Sequence, residues 1–220
     1  MLFGSFRIRR KWGYRRIDSF MRILFLSRWF PYPTDNGSKL RIWNLIRGVS
    51  GFHEVALLSF AEAVPTPAAM QAVSETCHRV QIVPWQQYNP QSQRARLGLF
   101  RFEPRSQVDT FSQEMGTRIE QMLANDEFDL IVTSQWQMAG YSRFFRDTPA
   151  LFEEVELGVF YGQYAGASAV RNQLRYGLTW AKHRHYLSRL LKDFQACTVV
   201  SEQEQQLLAE AVPDFEKAVV

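Results

Sequence analysis

The chain has 220 residues, 46% of them hydrophobic and 22% charged, enough to bury the core of one large domain or two small ones. Its two cysteines, Cys77 and Cys197, exclude a disulfide framework and fit a reducing compartment, with a single bridge left open. The net charge of +4 is uneven: Arg7, Arg9, Arg10, Lys11, Arg15 and Arg16 against Asp18 give residues 1–20 a charge of +5, so residues 21–220 carry −1 and give no reason to expect a nucleic-acid partner.

In chain order, residues 1–20 read as a basic, disordered extension. Their Phe3, Phe6, Trp12 and Tyr14 give a second reading, a peripheral contact with an anionic membrane. "RILFLS" (Arg22–Ser27) is the run of a short buried strand. Ser38–Val49 is a predicted helix, with Ser38 as N-cap and an apolar stripe of Leu40, Ile42, Trp43, Leu45 and Ile46. "HEVALLSF" is a second strand, Pro67–Glu75 a helix, and "RVQIVPW" a third strand. Gln86–Gln107 is polar, basic and aperiodic. Val108–Leu123 returns to helix, "FDLIVTSQ" is a fourth strand and "PALFEE" a fifth. A long helix is expected over Val170–Phe194. "ACTVV" then runs into a helix capped by Ser201, with Glu204 three residues on as a capping box, and "EKAVV" begins another strand.

Strands alternating with helices predict an α/β fold, a single Rossmann-like, doubly wound parallel sheet over residues 21–220. Such sheets bind ligands at the carboxyl ends of their strands. No run approaches the roughly 20 apolar residues of a bilayer-spanning helix. The amino terminus lacks a signal-peptide core. The expected location is therefore the cytoplasm, with any membrane contact peripheral and at its inner face. "KHRH" is not a metal site: His183 and His185, two apart on a helix, point about 200° apart.

"RILFLSRWFPYPTDNGSKLRIWNLIRGVSGFHEVALLSF", followed at the right spacing by "FDLIVTSQ" and "QACTVVSEQE", resembles the opening half of GT-B fold, family-four glycosyltransferases. The resemblance covers Met21–Val220 and implies the N-terminal, acceptor-side half of that architecture. The C-terminal donor half, with its pair of glutamates, would then be supplied in cis or in trans. It implies a retaining transferase that takes a nucleotide-diphospho sugar as donor substrate and holds no tightly bound cofactor and no metal. Its partner would be a sugar or lipid-linked acceptor. Catalysis by this half alone is not expected.

The site residues follow from the same frame. "DNGSK" sits at a strand's carboxyl end and a helix amino end, where free N–H groups favour an anion. Asn36, Gly37, Ser38 and Arg41 are the expected loop for donor diphosphate and acceptor, with Pro31 and Pro33 stiffening the approach. Ser134 and Gln135, ending the fourth strand, and Glu156, after the fifth, are expected to line the acceptor cleft. Where many relatives carry a histidine, this chain has Glu153, Glu154 and Glu156. Strand alternation sends Glu153 and Glu154 to opposite faces, and Glu154 is the expected group to orient or deprotonate an acceptor hydroxyl. The other class of function is a stand-alone, non-catalytic binding domain descended from this half. A dinucleotide-dependent oxidoreductase is disfavoured by the lack of G-x-G-x-x-G after strand one, and a GT-B sugar epimerase by the "FPYP" opening.

Overall fold

The computed structural model describes residues 7–10, 13–16 and 20–220. Arg7–Arg10 (β1) and Gly13–Arg16 (β2) pair antiparallel. Residues 1–6, 11–12 and 17–19 of the expected extension lie outside the described residues.

Seven further strands form one sheet: β3 (Arg22–Ser27), β4 (Glu54–Ala61), β5 (Arg79–Pro84), β6 (Leu130–Ser134), β7 (Ala150–Val155), β8 (Ala196–Val199) and β9 (Ala218–Val219). Their order is β5-β4-β3-β6-β7-β8-β9. The chain moves outward from β3 to β5, then returns to the other side of β3, so the topological switch point lies between β3 and β6. The nine helices among the described residues are α1 (Gly37–Ser50), α2 (Pro67–Ser74), α3 (Gln93–Leu97), α4 (Arg105–Thr110), α5 (Gln113–Asn125), α6 (Gln135–Ala139), α7 (Gly158–Ala165), α8 (Val170–Leu190) and α9 (Glu202–Ala211). None of the described helices is long and apolar enough to cross a membrane.

The chain forms two compact units, Met1–Gln86 with Ser112–Leu151, and Gln87–Phe111 with Phe152–Val220. In the first, β3 pairs in parallel with both β4 and β6, and β4 with β5. A parallel sheet covered on both faces needs apolar side chains at consecutive positions. Accordingly, Ile23–Ser27 of β3 and Val55–Ala61 of β4 are buried without a break. Ile42 and Ile46, four apart on α1, are completely buried beside Phe25 and Leu57. Leu40, part of the expected stripe, is instead 48% exposed. At the amino ends of these strands Arg22 Nε donates to Glu54 Oε1 at 2.7 Å, and Asp126 accepts from Arg22 at 3.4 Å and from Arg79 at 2.6 Å. The glutamate of "HEV" thus serves an ion-pair network.

In the second unit β8 and β9 pair in parallel, and Phe152 meets Phe194 at 5.5 Å between ring centroids. The segment read as aperiodic contains α3, a 3-10 turn at Gly98–Phe100, and α4. Its order comes from Asp109, a buried carboxylate that accepts from the Asn89 N–H at 2.7 Å and from the Ser92 hydroxyl. The helix expected over Val108–Leu123 is broken at Phe111. Ser112 caps α5 by accepting from Met115 N, while its own N–H donates to the Tyr141 hydroxyl at 2.8 Å. Helices α6 and α7 were not expected from sequence. Both are short, and α7 carries Gly158 and Gly162, which weaken its helical signal. Ser201 does cap α9, but Glu204 does not close the box. Its carboxylate accepts from the N–H groups of Leu157 and Gly158, at 2.8 and 2.9 Å, and so holds the start of α7.

Both cysteines are free and buried, and burial pushes each thiol up to about 12. His183 on α8 is buried with its ring stacked on Phe160 at 3.9 Å. Burial holds its imidazole below the usual range. The Nδ1–H bond to Thr179 O at 2.8 Å opposes that shift, and the neighbouring Lys182 charge adds to it.

Two stability measurements follow. In urea titrations Ile46→Ala is expected to cost about 2–5 kcal/mol, whereas Leu40→Ala stays within about 0.5 kcal/mol. With the folded-state imidazole of His183 held below its ordinary value of about 6.5, the unfolded chain takes up the proton first, so the stability present above that pH is lost as pH falls below it. The drop in Tm between about pH 7.5 and pH 5.5 should therefore be smaller in His183→Phe than in the parent chain.

Candidate functional site at the strand carboxyl ends

In the first unit, three neighbouring strands each deliver one residue immediately past their carboxyl ends: Arg28 after β3, Glu62 after β4 and Trp85 after β5. Arg28 lies between two indoles, its guanidinium carbon 4.1 Å from the Trp29 ring centroid and 3.6 Å from that of Trp85. Nη2 donates to Glu62 Oε1 at 2.8 Å. The arginine side chain is only 7% exposed while Glu62 is 44% exposed. Burial pulls the guanidinium below its usual range, and Glu62 restores only part of the loss. Nη1 is buried with no hydrogen-bond partner among the described residues. A half-satisfied buried cation costs free energy.

Sequence reading missed these three residues. The available signal was an arginine directly after a buried strand run, flanked by tryptophan.

The loop after β3 leads into α1. Asn36, in extended conformation, accepts from Lys39 N at 2.9 Å and is the N-cap. The expected cap, Ser38, lies inside the first turn instead. Asparagine caps as well as serine does, and here it starts the helix two residues earlier. Leu40 N makes the first intrahelical bond, to Asn36 O, and leaves the N–H groups of Gly37 and Ser38 ahead of the ladder. A Cβ built on Gly37 meets nothing within 4 Å. No packing demand of the fold therefore accounts for glycine there. Lys39 pairs with Asp35 at 2.9 Å, and Arg41 is half-buried.

Across the switch point, Ser134 of β6 is in register with Ser27 of β3, which is in register with Ser59 of β4. All three serines are fully buried. Gln135 follows with φ 73°, a left-handed backbone that glycine adopts readily and glutamine does not. The first unit thus places Ser134 and Gln135 at the carboxyl end of β6, and Asn36, Gly37, Ser38 and Arg41 on the loop and first turn that follow β3.

Glu154 and Glu156 belong to the second unit. Glu154 lies on β7 at φ 65°, again left-handed, and its N–H donates to Thr198 Oγ1 at 3.0 Å. This backbone interrupts the expected alternation: Phe152 and Glu153 are both buried, Glu154 is half-buried and Val155 is buried. Burial along β7 therefore shows no strict in-and-out alternation. Glu156 is exposed, just ahead of the turn that Glu204 holds. His183 and His185 make different contacts, His183 with Phe160 and His185 with Phe102. No group of three or more potential metal ligands occurs among the described residues.

Residues 36–220 match the family described as glycosyl transferase 4-like domain. The chain belongs to that family. No curated protein matches it. Among solved structures, this glycosyl transferase 4-like domain is similar to UGT2 of Phytolacca americana complexed with UDP-2-fluoro-glucose and pterostilbene, at 10% identity and TM-score 0.48, covering 90% of this chain and 53% of that one. UGT71G1 of Medicago truncatula complexed with UDP-glucose gives 12% identity and TM-score 0.46, covering 92% and 51%. The N-terminal domain of Candida albicans trehalose-6-phosphate phosphatase gives 9% and 0.45, covering 94% and 45%. The domain spans about half the length of these chains.

If stability were the reason for Arg28, an apolar side chain of similar length should be worse. Replacing a buried, half-paired charge by well-packed apolar atoms is usually neutral or stabilising. Arg28→Met is expected to leave unfolding free energy within about 1 kcal/mol of the parent in urea titration, while Arg28→Ala, which empties the space between two indoles, costs about 2–4 kcal/mol.

Proposed function

We propose that the chain is the acceptor-binding half of a nucleotide-sugar-dependent glycosyltransferase, completed by a donor-binding half in cis or in trans. The family match over residues 36–220 carries this reading. The strand ends support it. The turn at Asn36–Ser38 offers N–H groups ahead of the hydrogen-bond ladder, at the positive end of a 14-residue helix. Gly37 leaves room for an anion to approach the backbone, as a diphosphate would. Gln135 and Glu154 hold left-handed conformations that cost about 1–3 kcal/mol each, a cost found most often at functional sites.

In this reading the donor is a nucleoside-diphosphate sugar and the acceptor a sugar or lipid-linked hydroxyl. Ser134, Gln135 and Glu156 hydrogen-bond the acceptor, and Arg41 adds positive charge near the diphosphate. The acceptor oxygen bonds to the anomeric carbon as that carbon's bond to the diphosphate breaks, the electron pair leaving with the diphosphate. Glu154 orients the acceptor hydroxyl and takes its proton.

The test is incubation of the purified chain with a panel of nucleotide sugars and generic acceptors, alone and together with the donor-binding half. No transfer by the chain alone and transfer with the donor half are expected. Turnover by the chain alone would overturn the assignment of the donor site. In the complete enzyme Glu154→Gln is expected to lower kcat by about 10²-fold or more with donor KM unchanged. Gly37→Ala should raise donor KM while leaving Tm level or higher, because alanine stabilises a helix by roughly 0.5–1 kcal/mol over glycine.

A further inference from the structure

Helix α8 has two apolar faces. Trp180, His183, Leu187 and Leu190 are buried. At about 100° per residue, Val170, Leu174 and Leu178 form a separate stripe on the opposite side, and they are 72%, 66% and 74% exposed. Arg171, Arg175 and Arg189 border the stripe on one side and Arg184 on the other, all exposed.

A second exposed apolar group lies beside the far end of that stripe. Lys182 Nζ donates to Gly98 O at 2.6 Å, and the Phe102 and His185 rings meet at 5.5 Å. These bonds seat the 97–102 segment on α8. Arg105 reinforces it from behind, with Nε to Ala95 O at 2.9 Å and Nη2 to Pro90 O at 2.7 Å. The segment so held turns Leu97, Leu99, Phe100 and Phe102 outward, at 63%, 59%, 90% and 68% exposure. A backbone fixed by several hydrogen bonds that presents four large apolar side chains to solvent is a built surface.

Charge identifies what covers it. Residues 157–192 contain Arg171, Arg175, Lys182, Arg184, Arg189 and Lys192 and no Asp or Glu. Residues 93–105 add four arginines against Glu103. A second copy of this face would be repelled. Between residues 94 and 102 the arginines are interspersed with the exposed apolar residues, so charge and apolar surface occupy the same patch. An anionic bilayer fits both features: headgroups draw the arginines, and rings of uneven height sink into a deformable apolar layer.

We infer that the face made by α8 and the 97–102 segment docks on an anionic lipid surface. This does not depend on the transferase reading, since docking needs neither donor nor acceptor.

The test is co-sedimentation of the 220-residue chain with vesicles of phosphatidylcholine alone and of equimolar phosphatidylcholine and phosphatidylglycerol, at low and moderate salt. Binding to the anionic vesicles only, weakened by salt, is expected. Arg94→Gln, Arg96→Gln, Arg101→Gln and Arg175→Gln combined should weaken it by at least about 10-fold, since each basic side chain at such a surface favours binding several-fold. Leu174→Ser, Leu178→Ser and Phe100→Ser combined should weaken it comparably while salt dependence persists. The substituted side chains are exposed, so an unchanged Tm is the control for folding. Deleting residues 1–20 should change binding by less than either set. Equal binding to both vesicle types, no binding, or binding lost with residues 1–20 and kept without the four arginines would overturn the inference. So would concentration-dependent self-association, seen by light scattering, that the apolar substitutions abolish.

Discussion

Parallel pairing of β3 with β4 on one side and β6 on the other fixes the geometry of the first unit. The register places Ser27 beside Ser59 and Ser134, so these strands bring their carboxyl ends to a common level. A slip of one residue would turn Ile23, Phe25 and their neighbours to the wrong faces. Because both faces are buried, the hydrophobic penalty for a slip is paid on every strand at once. Everything that follows a strand is then delivered to a known place: Arg28 and the α1 loop after β3, Glu62 after β4, Trp85 after β5, Gln135 after β6.

The second unit uses a carboxylate for a related purpose. Glu204 of α9 binds two consecutive N–H groups, those of Leu157 and Gly158, 46 or more positions earlier in the chain. A Cβ at 158 would sit 2.5 Å from Glu204 Oε1, so a larger residue there displaces the carboxylate from this position. The bond fixes where β7 hands over to α7, directly after Glu154 and Glu156. A left-handed residue such as Glu154 survives only where its surroundings over-determine it. Thr198 on one side and the Glu204 clamp just downstream supply that restraint.

What could be read from sequence followed the strength of the local signal. The seven-stranded order rests on runs such as "RILFLS" and "EVALLSFA", whose continuous apolarity has one physical meaning, a strand buried on both faces. Helices α1, α2 and α8 were legible from periodicity. Asp109 explains the failure at residues 86–107: order there comes from one buried carboxylate twenty residues from a backbone group it holds, which no window of periodicity registers. The cap of α1 was misplaced because Asn36 and Ser38 are equally good caps, and only tertiary context chooses. At the site, the glycine turn and the strand-end residues Ser134, Gln135 and Glu154 were legible as positions. The left-handed backbones at Gln135 and Glu154 were not, since neither residue type announces φ above zero. The buried state of Arg28 was also hidden, because it requires Trp85, 57 residues away in sequence, to close over it.

Arg22 and Arg28 sit at opposite ends of β3, Arg22 on its first residue and Arg28 just past its last, and carry their charge in opposite ways. At the amino end Arg22 has several acidic partners and remains about a third exposed. Its hydrogen bond to Glu54 leads a set of contacts that raises its proton affinity despite some loss of hydration. Such an arrangement contributes little, roughly 0–1 kcal/mol per pair, but it costs nothing to keep. At the carboxyl end Arg28 is largely stripped of water and, among the described residues, has one carboxylate partner that is itself half in solvent and leaves Nη1 unmatched. Its proton affinity moves the other way, with desolvation as the first cause. A strand that needed only closure would end at both sides like its amino end. The free energy spent at the other end of the first unit, on a buried cation and on a left-handed residue after β6, falls at the carboxyl ends of the strands, where doubly wound sheets as a class meet their ligands. Strain and desolvation in the first unit therefore gather at the carboxyl ends of β3 and β6, an asymmetry that strand closure alone does not require.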